Sequence, residues 1–207
     1  MNKVSFSGRL AYRLLSRLFF YPEKPSKDPT ALTGQKVTED LQTLGNASSV
    51  GKIGSLITLL EKARLEDLQL EYVALFDYRP TCPPYEGAFR DDIKRGDILI
   101  DLTKFYKKEG TDCSSTFFPD HISVELTFMH LLIFNEASFS DNNPEKMAAV
   151  LQTEKEFMDE HLLKWVPDFC DCINKNAELP FFTSLAMLTK EFILQDAEYI
   201  DSLLREL

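Results

Sequence analysis

The segment FPDHISVELTFMHLLIFNEA, residues 118–137, decides the fold of this chain. It predicts a helix with apolar residues on nearly every face, and such a helix belongs in the middle of a bundle. Asp120 stands where the first turn needs an N-cap, because a side-chain oxygen there can accept from an unpaired backbone N–H group. We therefore expect a buried central helix from about Asp120 to Ala137.

The rest of the chain shows the same helical periodicity, without the sustained alternation of apolar and polar residues that marks a half-buried strand. Ser5 or Ser7 can cap a first helix that Pro22 stops, and Gly110 can close a later one in a left-handed conformation. A polar stretch is expected to run to about Ser55. Further helices are expected at 38–44, 56–76 (one helix, or two with a break), 98–110, 144–163, 165–173 and 181–204. The predicted class is an all-α, single-domain helical bundle over residues 1–207.

Length and composition allow a full core, since 207 residues with 44% hydrophobic side chains need no disulfide or metal for stability. No apolar stretch approaches the roughly 20 residues that a membrane span requires. The start shows no secretory cleavage pattern, so we expect a cytoplasmic protein. In that compartment the four cysteines are expected to be reduced thiols: Cys82, Cys113, Cys170 and Cys172.

The formal net charge of -10 is unevenly placed, because residues 141–207 hold fourteen acidic and six basic side chains. Such a surface repels nucleic acid and favours cationic partners. Solubility alone explains the charge equally well. We expect no nucleic-acid partner.

His121 and Glu125 are four residues apart, so their side chains can meet on one face of the central helix. One interpretation is an acid–base pair of a small hydrolase or lyase, with Asp120 nearby. The other is a helix cap and an intrahelical hydrogen bond that serve structure or ligand recognition. No nucleophile lies close by in the sequence, and neither a glycine-rich phosphate loop nor a Gly-x-Ser-x-Gly motif is present, which favours a protein that is not an enzyme.

The histidines and cysteines do not have the spacing of a metal site. His121 and His130 are nine residues apart and point to opposite sides of a helix. Cys170 and Cys172 are two residues apart and diverge in the same way. We expect no metal and no cofactor.

The segment 78–86 contains Pro80, Pro83 and Pro84, which predict an ordered loop rather than a helix. Four aromatic residues lie in this segment or just before it: Tyr72, Phe76, Tyr78 and Tyr85. They are either core residues beside a rigid connector, or they line a groove for an extended or helical peptide. In the second case the positive end of the peptide would be attracted by three carboxylates, those of Glu86, Asp120 and Glu125. That hypothesis requires an accessible hollow beside Asp120 and His121.

These motifs, taken together, resemble the TorD/DmsD/NarJ family of redox-enzyme maturation chaperones. The resemblance covers about residues 66–193, and its most specific element is the Pro-Asp-His sequence that opens an apolar helix. The matching residues are Glu71-Tyr72-Val73-Ala74-Leu75-Phe76, Pro83-Pro84-Tyr85-Glu86, Phe105-Tyr106 with Gly110, Pro119-Asp120-His121, Glu125-Leu126, Phe128-Met129, His161-Leu162, Trp165, Pro167, Phe169 and Pro180-Phe181-Phe182.

The resemblance implies an all-helical chaperone that binds the precursor of a molybdopterin oxidoreductase, often through its twin-arginine leader, until cofactor insertion is finished. Bidentate carboxylate contacts and an apolar groove would recognise such a leader. The expected peptide-binding residues are Tyr72, Phe76, Tyr85, Glu86, Pro119, Asp120, His121 and Glu125. DmsD-like members carry tryptophans around the first loop, whereas this chain has only Trp165.

The sequence leaves open the oligomeric state and a third functional alternative. Some family members exchange helices between subunits, so a monomer and a domain-swapped dimer are both compatible with it, and residues 77–92 offer a hinge. The third functional alternative, besides the chaperone and the hydrolase or lyase, is a permanent structural subunit of a redox complex.

Overall fold

The computed structural model describes residues 11–23, 47–111, 117–139 and 144–206. Within these ranges the regular structure is helical, which confirms the all-α class. The helices are α1 (Ala11–Leu18), α2 (Ala47–Lys62), α3 (Leu65–Phe76), α4 (Arg95–Lys108), α5 (Ile122–Phe139), α6 (Pro144–Phe157), α7 (Leu163–Asn176) and α8 (Pro180–Glu206), with a 3-10 turn at Glu86–Ala88 and a π turn at Met158–Leu162.

Helix α5 is largely buried, as its sequence predicts. It packs against α1 and α6, while α8 packs against α7, α6 and α2. Its apolar side chains are buried on several faces, and full burial of each stabilises the fold by about 1.5–3 kcal/mol. The buried residues of α5 include Ile122, Leu126, Phe128, Met129, Leu132 and Ile133.

A cluster of aromatic side chains joins α3 to α7 and α8. Phe76 packs against Phe169 and Phe182, with ring centroids 6.0 and 5.8 Å apart. Trp165 lies beside Phe169, and both are buried. These contacts fix the end of α3, and therefore the start of the proline-rich loop that follows it.

Several predicted boundaries are confirmed. The segment 56–76 contains a break, because α2 ends at Lys62 and α3 begins at Leu65. Gly110 has φ +71° and donates from its backbone N–H to Lys107 O, so it closes α4 in the left-handed conformation. The predicted extent of the polar stretch is wrong, since α2 already begins at Ala47.

The break expected between 163 and 165 is also wrong. Helix α6 runs through the π turn Met158–Leu162 directly into α7. Pro167 lies inside α7 and lacks the N–H that would bond the carbonyl of Leu163. Because the π turn ends just before Leu163, the helix absorbs the irregularity in one widened turn without stopping.

The expectation of reduced thiols is wrong for two of the four cysteines. Cys82, in the loop after α3, and Cys172, on α7, form a disulfide with their Cα atoms 5.8 Å apart. Ninety residues separate them in the sequence, so spacing gives no sign of the pairing. Cys170 is a buried thiol whose pKa burial raises to about 12.

Some predictions lie outside the described residues. They are the caps at Ser5 and Ser7, the helix at 38–44 and the state of Cys113. Among the described helices none combines the length and the apolar character needed to cross a membrane.

Candidate functional site

The proline-rich loop and the segment before α5 are joined by their main chains. Tyr85 and His121 form an antiparallel bridge. Glu86 donates from its N–H to Asp120 O at 2.9 Å, and Ile122 donates to Pro84 O at 3.0 Å. The two loops in which the sequence placed most of the site are therefore one structural unit.

His121, rather than Asp120, caps α5. Its Nδ1 accepts a hydrogen bond from the backbone N–H of Ser123 at 3.1 Å, which satisfies one of the free donors of the first turn. Burial lowers the pKa of His121 to about 4, so at neutral pH the ring is uncharged and Nδ1 is an acceptor. The prediction that Asp120 is the N-cap is wrong, because its carboxylate has a different partner.

That partner is Arg95, the first residue of α4. Arg95 Nε donates to Asp120 Oδ2 at 2.8 Å and Nη2 donates to Oδ1 at 3.0 Å. The backbone N–H of Gly87 also points to Oδ2, at 3.4 Å. Asp120 is fully buried, whereas the Arg95 side chain is 44% exposed. The arginine thus covers the carboxylate and separates it from solvent.

Glu86 lies beneath the same loop, also fully buried. Its Oε1 accepts from Arg90 Nη1 at 2.8 Å, and its Oε2 lies 3.0 Å from Nδ1 of His161, in the π turn. Arg90 also binds both oxygens of Asp92 and donates to Glu160 O. The π turn therefore holds the histidine that connects the second half of the chain to the loop.

Glu125 does not meet His121, although the two are four residues apart. Its Oε2 accepts from Trp165 Nε1 at 3.0 Å, and Oε1 has no hydrogen-bond partner among the described residues. Burial, followed by the charge of Glu86, raises the pKa of Glu125 well above its ordinary value, which favours the neutral acid. The predicted acid–base pair does not form. The hydrolase or lyase alternative therefore lacks the contact between His121 and Glu125 on which it depends.

The two predicted aromatic residues of α3 are buried in the core. Tyr72 donates its hydroxyl to Phe19 O at 3.2 Å, and burial raises its pKa to about 12. The Phe76 ring lies 5.1 Å from that of Tyr72 and contacts the α7 and α8 aromatics described above. The core interpretation of these two residues is therefore the one that the packing supports.

The expectation of an accessible acid and imidazole is wrong for this conformation. The side chains of Glu86, Asp120, His121 and Glu125 are all at most 1% exposed. They hold the two loops together and do not present their polar groups to a partner. Of the eight predicted residues, only Tyr85 and Pro119 are partly exposed.

Tyr85 belongs to an aromatic surface that also contains Phe20, Phe117 and Phe118, three residues that the sequence reasoning did not assign to the site. Phe20 and Phe117 are 5.4 Å apart between ring centroids, and Tyr85 and Phe118 are 6.4 Å apart. The ring of His121 connects the two pairs, since it stacks on Phe117 at 4.1 Å and meets Tyr85 at 5.1 Å. Phe118 is 59% exposed and Phe20 is 42% exposed. In the sequence, the two adjacent phenylalanines before Pro119 were the sign that could have indicated this surface.

A metal centre has no support in the described part of the chain. No three side chains of the ligating types His, Cys, Asp and Glu converge there. The buried polar groups of the site are instead paired with arginine, histidine and tryptophan.

Comparison with known proteins gives the family. The family model described as "Nitrate reductase delta subunit" matches residues 35–171. The selenate reductase assembly chaperone of Thauera selenatis is 34% identical over 113 residues, which span 50% of this chain and 56% of that protein. The perchlorate reductase assembly chaperone of Dechloromonas aromatica is 26% identical over 133 residues, 62% of this chain and 59% of that protein.

Two matches extend over nearly the whole chain. The chaperone protein TorD of Vibrio cholerae is 25% identical over 207 residues, 94% of this chain and 92% of that protein. The crystal structure of a protein described as a redox enzyme maturation protein from Archaeoglobus fulgidus superposes with a TM-score of 0.56 at 22% identity, covering 89% of this chain and 93% of that chain. This structural likeness supports the fold. Because the family model covers more than half of the residues, the chain belongs to the nitrate reductase delta subunit family, the TorD/NarJ family of redox-enzyme maturation chaperones.

Proposed function

We propose that this chain binds the precursor of a molybdopterin oxidoreductase, through its twin-arginine leader, its apoenzyme part or both, and holds it during cofactor insertion. Relatives named as assembly chaperones for selenate and perchlorate reductases support a redox enzyme as the client. The role is one of binding, without a catalytic step. A chaperone that holds a leader before export acts in the cytoplasm, which is where we place this chain.

The aromatic surface is the observation that carries the proposal. Phe118 and Phe20 leave large apolar areas in water, and such areas next to half-buried rings are typical of a protein interaction site. The bridge between Tyr85 and His121 holds the surface in place, so little conformational entropy is lost when a peptide binds. A leader, with two arginines followed by an apolar stretch, offers the apolar part that this surface can cover.

The eight residues predicted to bind the peptide then have three different roles. Tyr85 and Pro119 contact it. The four buried polar residues hold the loops in place. Tyr72 and Phe76 pack ring against ring in the core and fix the end of α3, where the proline-rich loop begins.

The first experiment measures binding of a labelled synthetic leader, with two adjacent arginines before an apolar stretch, by fluorescence anisotropy. Phe118→Ala is expected to weaken binding about 10-fold, because roughly 1.5 kcal/mol of apolar contact is lost. Phe134→Ala is the matched control, since Phe134 is also a phenylalanine that is 59% exposed, but it lies three turns along α5. Its substitution is expected to leave the affinity unchanged.

Equal affinities of both variants and the wild type would remove the aromatic surface from the proposal. Circular dichroism checks that each variant is folded. Co-purification with the mature enzyme tests the structural-subunit alternative, because a chaperone that releases its client is absent from the finished complex. Light scattering at the concentration of the binding assay determines whether the monomer or a dimer binds.

A further inference from the structure

The guanidinium of Arg95 fills a binding site formed by Asp120, Tyr85 and Phe118 of the same chain. We propose that it takes the place of an arginine of the bound peptide, and that the peptide's guanidinium displaces it from Asp120. This inference rests on the proposed function, because it names the group by which the same surface recognises the leader. It also gives Asp120 a binding role that its burial in the unbound protein conceals.

The surroundings of the Arg95 guanidinium fit this group specifically. Asp120 accepts two hydrogen bonds from it in the paired geometry that a planar fork provides and an ammonium group does not. The guanidinium carbon lies 5.0 Å from the ring centre of Tyr85 and 5.1 Å from that of Phe118. Both distances are within the range of cation–π attraction. The site thus combines a carboxylate with two rings of the aromatic surface.

Arg90, which also lies next to the site, is held more firmly than Arg95. Its side chain is only 10% exposed, and it binds Glu86, Asp92 and the carbonyl oxygen of Glu160. Among the described residues, the hydrogen bonds of the Arg95 guanidinium all go to Asp120. With a side chain that is 44% exposed, Arg95 can leave into solvent without crossing the protein.

The exchange is favourable only for a ligand of the same chemistry. Asp120 is fully buried, and leaving a buried carboxylate without a counter-charge is strongly unfavourable. A guanidinium from the peptide restores the same ion pair, so this cost is avoided, whereas an uncharged side chain cannot restore it. Since Arg95 competes for the site, the apparent affinity for the peptide is lower than that of the emptied site.

The site is tested first without any peptide. Arg95→Ala is heated in the presence of methylguanidinium or methylammonium, and the shift in melting temperature is measured for each cation. Arg64→Ala is the control, because Arg64 is 74% exposed and pairs only loosely with surface carboxylates. We expect methylguanidinium to raise the melting temperature of Arg95→Ala relative to the control, and methylammonium to raise it less. If methylguanidinium shifts the melting temperatures of both variants equally, the proposed guanidinium site is overturned.

Displacement is tested with the leader peptide. Arg95→Ala is expected to bind it about 5- to 10-fold more tightly than the wild type, a coupling of ordinary size between two groups that compete for one site. A leader with glutamine in place of its arginines is expected to show no gain. An affinity no higher than that of the wild type, or a gain that persists with the glutamine leader, would overturn displacement.

Arg95→Lys gives a second reading that does not depend on the alanine variant being stable. Lysine keeps the charge but not the paired hydrogen bonds, so its gain in leader affinity is expected to lie between those of the wild type and the alanine variant. A leader that binds none of the proteins overturns the leader-binding part of the proposed function, and displacement with it. A leader that binds the wild type with an affinity unaffected by either substitution overturns displacement alone.

Discussion

The main chain of Tyr85 is bridged to that of His121, so the proline-rich loop and the Pro-Asp-His segment are joined side by side. Glu86 and Asp120, the neighbours of the bridged pair, add a hydrogen bond between N–H and C=O at 2.9 Å. The side chains at this junction are buried and polar, and two of them have strongly shifted pKa values. The stability of the junction is therefore expected to depend on pH in two opposite ways.

His121 makes the fold less stable in acid. Its pKa falls from the ordinary 6.5 to about 4 on burial, so between these pH values the unfolded chain binds the proton more readily than the folded one. The free energy of unfolding is therefore expected to decrease by about 2–3 kcal/mol as the pH falls through this window. His121→Asn keeps an N-capping acceptor but does not titrate, and we expect it to remove that part of the dependence.

Urea unfolding at a series of pH values measures this effect as the difference between His121→Asn and the wild type. The asparagine variant loses ring contacts with Phe117 and Tyr85, which lowers its stability at every pH alike. Only the change with pH is diagnostic. Parallel curves for the two proteins between pH 4 and 6.5 would contradict a buried, neutral imidazole.

Glu125 acts in the opposite direction. Its pKa is raised above the ordinary 4.5, mainly by burial, so above that pH the folded chain holds a proton that the unfolded chain releases. The free energy of unfolding then decreases as the pH rises, by up to about 1.4 kcal/mol per pH unit. Glu125→Gln is expected to remove this decrease while its side-chain oxygen still accepts from Trp165.

This comparison is made from about pH 4.5 upward, and the contribution of His121 cancels because both proteins retain that residue. Glu198→Gln is the control for the loss of a carboxylate, because Glu198 is exposed on α8. We expect the control to follow the wild-type curve. A wild type whose stability does not fall relative to Glu125→Gln would show that the acid is already ionised in the folded state.

The sequence was sufficient for features that depend on neighbouring residues. The apolar periodicity of 122–133 predicts the central helix, the pattern of 56–76 allows one helix or two with a break, and Gly110 predicts the end of α4. The Pro-Asp-His motif and its spacing from the tyrosine loop also predict the family, which the family model confirms. Each of these signals lies within a few turns of one helix or within one short motif.

The pairing of side chains was not predictable in the same way. Helical spacing placed His121 beside Glu125, but each binds a group that the spacing cannot reveal, the N–H of Ser123 and the indole of Trp165. Arg95 attracted no attention in the sequence, although it covers Asp120. Partners far apart in the sequence are set by how α4, α5 and α7 pack, and that information is not contained in one segment.

The disulfide between Cys82 and Cys172 closes a separation of 90 residues, and we expect it to raise the free energy of unfolding by about 4 kcal/mol over the dithiol form. Denaturant unfolding with and without reductant measures the difference. Cys82→Ser is the control, because it should be insensitive to the reductant. Peptide mapping after alkylation identifies the bonded pair. In a reducing environment the dithiol form is expected to predominate.

Peptide mapping that finds both cysteines alkylated in the oxidised, native protein would contradict the bond. Cys170 serves as an internal reference in the same experiment. It is buried and its pKa is raised to about 12, so it is expected to react only after unfolding.

Gly87 is expected to control the position of Arg95. A Cβ atom at residue 87 would lie 2.4 Å from Cγ and 2.8 Å from Cδ of Arg95, so Gly87→Ala must push the arginine away from Asp120. The expected cost is about 1–3 kcal/mol of unfolding free energy, the usual range for overpacking. The same substitution should cost clearly less in an Arg95→Ala background, because the obstructing side chain is then absent. A double-mutant cycle from urea unfolding measures this coupling.

Gly51→Ala in α2 is the control, since nothing lies within 4 Å of its added Cβ, and we expect it to raise stability by about 0.5–1 kcal/mol. Equal costs of Gly87→Ala in both backgrounds would show that the glycine is needed for another reason.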